Sequence, residues 1–213
     1  MKKTLFSLLF AGLLLACQPK ETVPDTLPMK VAMAYGFDQM DQVNKLGFTW
    51  NVQRDSVNVF SRTYLWDMKA QTVDYSDADT AYQFSLTAET MPDAHKGFIN
   101  DKYWAMMPFQ LAWDTGYTYE TQENVPTPIK GTNSTKLTIL YNNEDGYSPG
   151  DAYDLYIDEN YKLLEWTFRR GNAVEGATWT WENEQNVGPL TFAVDHMGAD
   201  GNRFIWTSNI SVN

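Results

Sequence analysis

His95 and His196 are the only histidines in the chain. Asp93 and Asp195 stand near them, so a two-histidine, one-carboxylate metal site is conceivable. Each histidine lies beside a turn-like segment and no spacing brings the two together, so no metal site is assigned. A serine hydrolase needs a serine, a histidine and an acid in convergent geometry, and no GxSxG segment is present. Acidic residues cluster at Asp74, Asp77 and Asp79, and again at Glu144, Asp145, Asp151 and Asp154. Calcium takes six to eight oxygen ligands, but neither cluster has the EF-hand order, and both read as solvated turn carboxylates. Glu165 and Glu182 stand beside Trp166 and Trp181, which invites a glycosidase reading. Strand alternation places each glutamate on the face opposite its tryptophan, which argues against a shared site. No catalytic residue and no cofactor is assigned from these patterns. Arg62 is the remaining anomaly. It lies two residues from Phe60 and two from Tyr64, so a period of two turns it into the apolar face. A buried cation must be paired. Its role is either a satisfied structural arginine or an anchor for a lid backbone or an anionic ligand group.

The elements that would position these residues follow from the patterning. Strands of period two predominate. Leu46, Phe48, Trp50 and Val52 alternate with Gly47, Thr49, Asn51 and Gln53, and similar runs recur to Phe204/Trp206. About eleven strands are expected, each with one buried and one wet face. Trp179 and Trp181 are read as one strand. Met29 to Lys45 has helical spacing, with a break at Gly36 and a cap at Asp38. Ile99 to Trp113 breaks the β pattern. Asn100 or Asp101 would cap a short helix there, and Pro108 would end or kink it. The segment is apolar nearly all round, so it must be covered on more than one side. It either plugs the open face of the sheet or forms a movable lid over an apolar cavity.

At the N-terminus, Lys2 and Lys3 precede the apolar stretch Leu5 to Ala16. Twelve residues at about 1.5 Å each cannot cross a hydrocarbon core of about 30 Å, so the stretch reads as a secretory signal. Leu14-Leu15-Ala16-Cys17 resembles the lipobox of bacterial lipoproteins. The resemblance implies cleavage before Cys17, the only cysteine, and its lipidation. Three segments result: a signal peptide at 1–16, a lipidated cysteine and proline-bearing tether at 17–28, and one domain at 29–213. The net charge of −11 over the whole chain becomes −13 on the 197 residues left after cleavage. Such a body is repelled by polyanions, so no nucleic-acid partner is expected. Attachment to a membrane would be through the lipid anchor. Gln18 after the cysteine, in place of an aspartate, suggests the outer membrane, facing the periplasm.

Three segments carry a family resemblance: YLWDMKAQTVDY at 64–75, INDKYWAMMPFQLAWDTG at 99–116 and YSPGDAYDLYIDENYKLLEW at 147–166. With the order of elements, they resemble an uncharacterised family of LolA-like lipoproteins from Bacteroidetes, related to the LolA and LolB lipoprotein carriers. Where that family has a His-Gly pair, this chain has Tyr35-Gly36. The resemblance implies a mainly β (α+β) fold, an incomplete antiparallel barrel with short helices over its concave face. It also implies non-covalent binding of a lipid, acyl chain or lipidated protein by a monomer. On that reading the candidate ligand-binding residues are Trp50, Arg62, Tyr64, Trp66, Trp104, Met106, Met107, Phe109, Trp166 and Phe168. The competing expectation is a surface glycan-binding or structural envelope lipoprotein, which needs Trp179 and Trp181 exposed in a shallow groove.

Overall fold

A computed structural model describes residues 24–142 and 148–213. Cys17, Glu144 and Asp145 lie outside the described residues. The chain opens with α1 (Leu27–Ala34), whose first turn holds Pro28 and is capped by Thr26. Proline costs nothing there because the first-turn N–H has no helical partner, so the helix takes in the last two residues expected of the tether. Gly36 ends it in the left-handed region at φ 96°. An added Cβ at Gly36 would lie 2.4 Å from the Pro189 carbonyl oxygen, so two constraints demand glycine at this corner. A 3-10 turn at Phe37–Gln42 follows.

Four strands come next: β1 (Lys45–Gln53), β2 (Val59–Asp67), β3 (Thr72–Ser76) and β4 (Ala81–Ser85). The long helix α2 (Asp93–Trp113) leads to β5 (Tyr117–Pro126), β6 (Asn133–Tyr141), β7 (Ala152–Ile157), β8 (Leu163–Arg169) and β9 (Ala177–Thr180). The chain closes with β10 (Glu182–Val187), β11 (Leu190–Met197) and β12 (Arg203–Val212). One sheet has the order β10-β11-β12-β1-β2-β3-β4, the other β5-β6-β7-β8-β9, and every pairing is antiparallel. Only Trp181 separates β9 from β10, so the path turns from one sheet to the other at a single residue. The result is an open half-barrel, the fold class the sequence implies. It has twelve strands among the described residues, where about eleven were expected.

The differences have physical causes. The Trp179/Trp181 pair does not form one strand, because the sheets part between them. The next segment, ENEQNV, is nearly all exposed and has no apolar period to betray β10. The expectation of one wet face fails for β1 and β7, which are buried on both faces. The outer face of β1 is covered by its neighbours' polar side chains. Asn51 donates to Ser208 Oγ at 3.1 Å and accepts from Ser61 Oγ at 2.7 Å, and Thr49 meets Thr63 at 2.9 Å.

The apolar segment is not a short helix capped at Asn100 or Asp101. The helix starts at Asp93 after Pro92 and runs 21 residues. Pro108 lies inside it and leaves the carbonyl of Trp104 without its helical donor. Met106 departs from helical geometry at φ −139°, and the axis kinks. Fifteen of its residues are buried, so α2 fills the concave face. Each large apolar side chain placed there contributes about 1.5–3 kcal/mol. Among the described residues no helix is long and apolar enough to cross a membrane.

Candidate functional site

Arg62 sits opposite Trp50 in the β1–β2 register, and its guanidinium lies 4.6 Å from the Trp50 ring centre. Its Nη2 meets Asp101 Oδ1 at 2.7 Å. Asp101 is on the inner face of α2 and wholly buried. The same carboxylate accepts from Tyr64 Oη at 2.8 Å and from Asn100 Nδ2 at 3.0 Å. Burial pushes the carboxyl up to about 6, against the pull of Arg62, Asn100 and Tyr64, so it is ionised at neutral pH. Of the roles open to Arg62, the geometry gives it the satisfied structural one, with an α2 side chain and not a backbone as its partner. Gly97 lets the two elements approach, since a Cβ there would lie 2.8 Å from Arg62 Nη1.

A second cluster fixes α2 to the other sheet. Tyr103 and Tyr141 both donate to Asp114 Oδ2, at 2.7 and 2.6 Å. Burial raises both phenols, so they stay protonated as donors. At the kink, Trp104 meets Trp166 and Trp179 edge-on at 4.8 Å and His196 at 5.3 Å. His196 is wholly buried, with Nδ1 3.1 Å from the Thr180 carbonyl. Burial holds its pKa down at about 4, and the Thr180 and Trp104 carbonyls oppose that shift. His196 is therefore a neutral core residue that packs against the kink. His95 is also buried and packs on Phe84. Among the described residues no three His, Cys, Asp or Glu side chains converge as a metal site.

The acidic groups are committed elsewhere. Asp77 accepts from Tyr75 Oη and from the backbone of Asp79 and Thr80. Arg169 grips Asp154 through Nε at 2.9 Å and Nη2 at 3.2 Å. Glu165 accepts from the backbone N–H groups of Ile129 and Lys130 at 2.8 and 2.9 Å, and Glu182 takes the Lys130 ammonium at 2.7 Å. Both glutamates thus anchor one turn, which leaves neither free as a proton shuttle. Tyr35 is buried and accepts from Leu163 N at 3.0 Å.

Between α2 and the five-stranded sheet lies a cleft of about 380 Å³. Ile99, Tyr103 and Trp104 of α2 form one wall; Tyr153, Trp166 and Phe168 form the other. Tyr153 lies stacked between Tyr103 and Trp166, at 5.6 and 5.5 Å. The alternation of β7 and β8 turns these rings inward, and the i, i+4 and i, i+5 spacing of the α2 residues brings theirs to meet them. Of the ten residues expected to bind ligand, Trp104, Trp166 and Phe168 line this cleft. Trp50, Tyr64, Trp66, Met106, Met107 and Phe109 are packed into the core with α2, and Arg62 is held by Asp101. Tyr153, Tyr103 and Ile99 line it as well, and the alternation of Tyr153/Leu155/Ile157 carried a signal for the first.

A larger open depression of about 950 Å³ lies at the end of the half-barrel, beside Trp179 and Phe204. Its carboxylates, Asp55 and Asp200, are occupied by backbone N–H groups of their own turns. Trp179 is half-buried and Trp181 buried. The exposed tryptophan pair required for a glycan groove is therefore not formed.

No protein-family model matches the chain, and no curated protein matches it. Among solved structures it is similar to a DUF1329 family protein from Desulfovibrio piger. That match has 10% identity and a TM-score of 0.46, covering 89% of this chain and 94% of the other. It is also similar to a LolA superfamily protein from Nitrosomonas europaea, at 7% identity and a TM-score of 0.47, covering 84% of this chain and 94% of the other. These are likenesses of fold.

Proposed function

We propose that this protein is a lipid-anchored lipoprotein of the cell envelope that binds an acyl chain, free or as part of a lipidated protein, without covalent chemistry. The observation that carries the reading is the aromatic cleft between α2 and the five-stranded sheet. Its 380 Å³ falls within the size range of small-molecule sites, which are mostly apolar with a few polar groups. The Leu14-Leu15-Ala16-Cys17 segment supports the anchor, and Gln18 after it supports an outer-membrane position facing the periplasm. The filled concave face moves the ligand from beneath α2, where the sequence reading placed it, to beside it. A chain there is covered by helix and sheet together, and the rings present flat apolar surface.

The test uses the full-length chain carrying Cys17→Ala, so that its own acyl groups do not compete. A fluorescent fatty-acid probe should bind saturably. Phe168→Glu should weaken binding at least about tenfold, since a carboxylate in an apolar site costs more than about 1.4 kcal/mol. Circular dichroism should show the fold retained. An unsaturable or absent signal with the unsubstituted cleft would overturn the reading.

A further inference from the structure

The mouth of the aromatic cleft carries two cations. Lys96 stands on α2 and Arg170 just past the end of β8, and both line the cleft while remaining exposed. Among the described residues neither takes part in an ion pair, so both heads are open to an anion. Asp151 also lines the cleft, but its Oδ1 already accepts the Gly171 N–H at 2.7 Å.

We propose that the cleft takes a single-chain anionic amphiphile. Its tail lies against Tyr103, Trp104, Tyr153, Trp166 and Phe168, and its carboxylate or phosphate headgroup is held at the mouth by Lys96 and Arg170. The proposal rests on the acyl-chain reading above and adds the headgroup. Arginine grips either anion through two parallel N–H donors, while lysine supplies a point charge on a flexible stem. Both stems lie along the rim and keep their heads in water, so recognition requires no buried charge.

The experiment compares dodecanoate, dodecyl phosphate and 1-dodecanol by isothermal titration calorimetry on the full-length Cys17→Ala chain. All three have the same tail. The two anions should bind at least about tenfold more tightly than the alcohol, because only they make charge-assisted hydrogen bonds to Lys96 and Arg170. Added salt should narrow the gap. Lys96→Gln with Arg170→Gln should abolish the difference while leaving the alcohol's affinity unchanged. Both positions are exposed, so the fold should tolerate the change. The tighter of the two anions identifies the headgroup as carboxylate or phosphate. Equal affinity for anions and alcohol, or an unchanged preference in the double variant, overturns the headgroup assignment and leaves the acyl reading standing. If none of the three binds, the acyl reading fails and the headgroup falls with it.

Discussion

Arg62→Leu removes the cation that faces a wholly buried carboxylate. Breaking one side of a buried pair costs about 3–5 kcal/mol, because the other charge is left stranded. Urea denaturation should show a loss at or below the lower end of that range, since Arg62 is about a fifth exposed. Adding Asp101→Leu to Arg62→Leu should recover much of it. A double variant no more stable than the single one would contradict the pairing. Binding per folded molecule should be unchanged in the single variant, because Arg62 does not line the cleft. The pH dependence rests on His196 and Asp101, which act in opposite directions. His196 has a folded pKa of about 4 against about 6.5 unfolded. Its contribution is intact above pH 6.5 and is lost as pH falls toward 4, by on the order of 3 kcal/mol. Asp101, at about 6 folded against about 3.9 unfolded, contributes fully at low pH and loses that as pH rises through 6. His196→Phe should therefore flatten or reverse the stability loss between pH 6.5 and 4, measured by thermal unfolding. An identical profile in wild type and variant would rule out the histidine as its source. The inward turn of Arg62 was legible from a period of two. Its partner was not, because Asp101 lies 39 residues away and an aspartate before an apolar run also reads as a helix cap.

At the scale of elements, α2 is held from two sides. Asp101 ties it to β2, and Tyr103 with Asp114 ties it to Tyr141 of β6. The close approach at Gly97 makes the first attachment possible. Gly97→Ala should push against Arg62 and Tyr64 and cost about 1–3 kcal/mol, the usual penalty of overpacking. Chemical denaturation checks this, and an unchanged midpoint would show that α2 shifts freely. On the five-stranded sheet, Glu165 holds the turn at residues 129–130. Glu165→Ala removes two charge-assisted bonds to the turn at residues 129–130 and leaves their N–H groups unpaired. A loss of about 2–3 kcal/mol is expected, with faster amide exchange confined to that turn. The helix and its proline were readable from composition. Its start was not, because capping signals at Pro92–Asp93 and Asn100–Asp101 compete locally and tertiary packing selects between them. Strands β10 and β5 are nearly all exposed, so they are strands through pairing with their neighbours and not through any apolar pattern of their own.

For the whole molecule, Cys17→Ala should move the protein from the membrane fraction into a soluble or unprocessed form. Unchanged fractionation would refute the anchor. The acidic body makes this test clean, since a net charge of −13 after cleavage gives it no affinity of its own for an anionic bilayer. The sequence by itself determined the alternating strands and the apolar insertion, because each is a local pattern read over a few residues. It thereby determined a mainly β domain with a helix that must be covered. Tertiary structure decided the rest. It parted the sheets at Trp181, buried both faces of β1 and β7, and filled the concave face with α2, leaving a cleft beside the helix. The physical reason is that empty volume is a difference between the space two sheets enclose and the space one kinked helix takes up. No local pattern encodes that difference, and only close packing of residues distant in the chain fixes it.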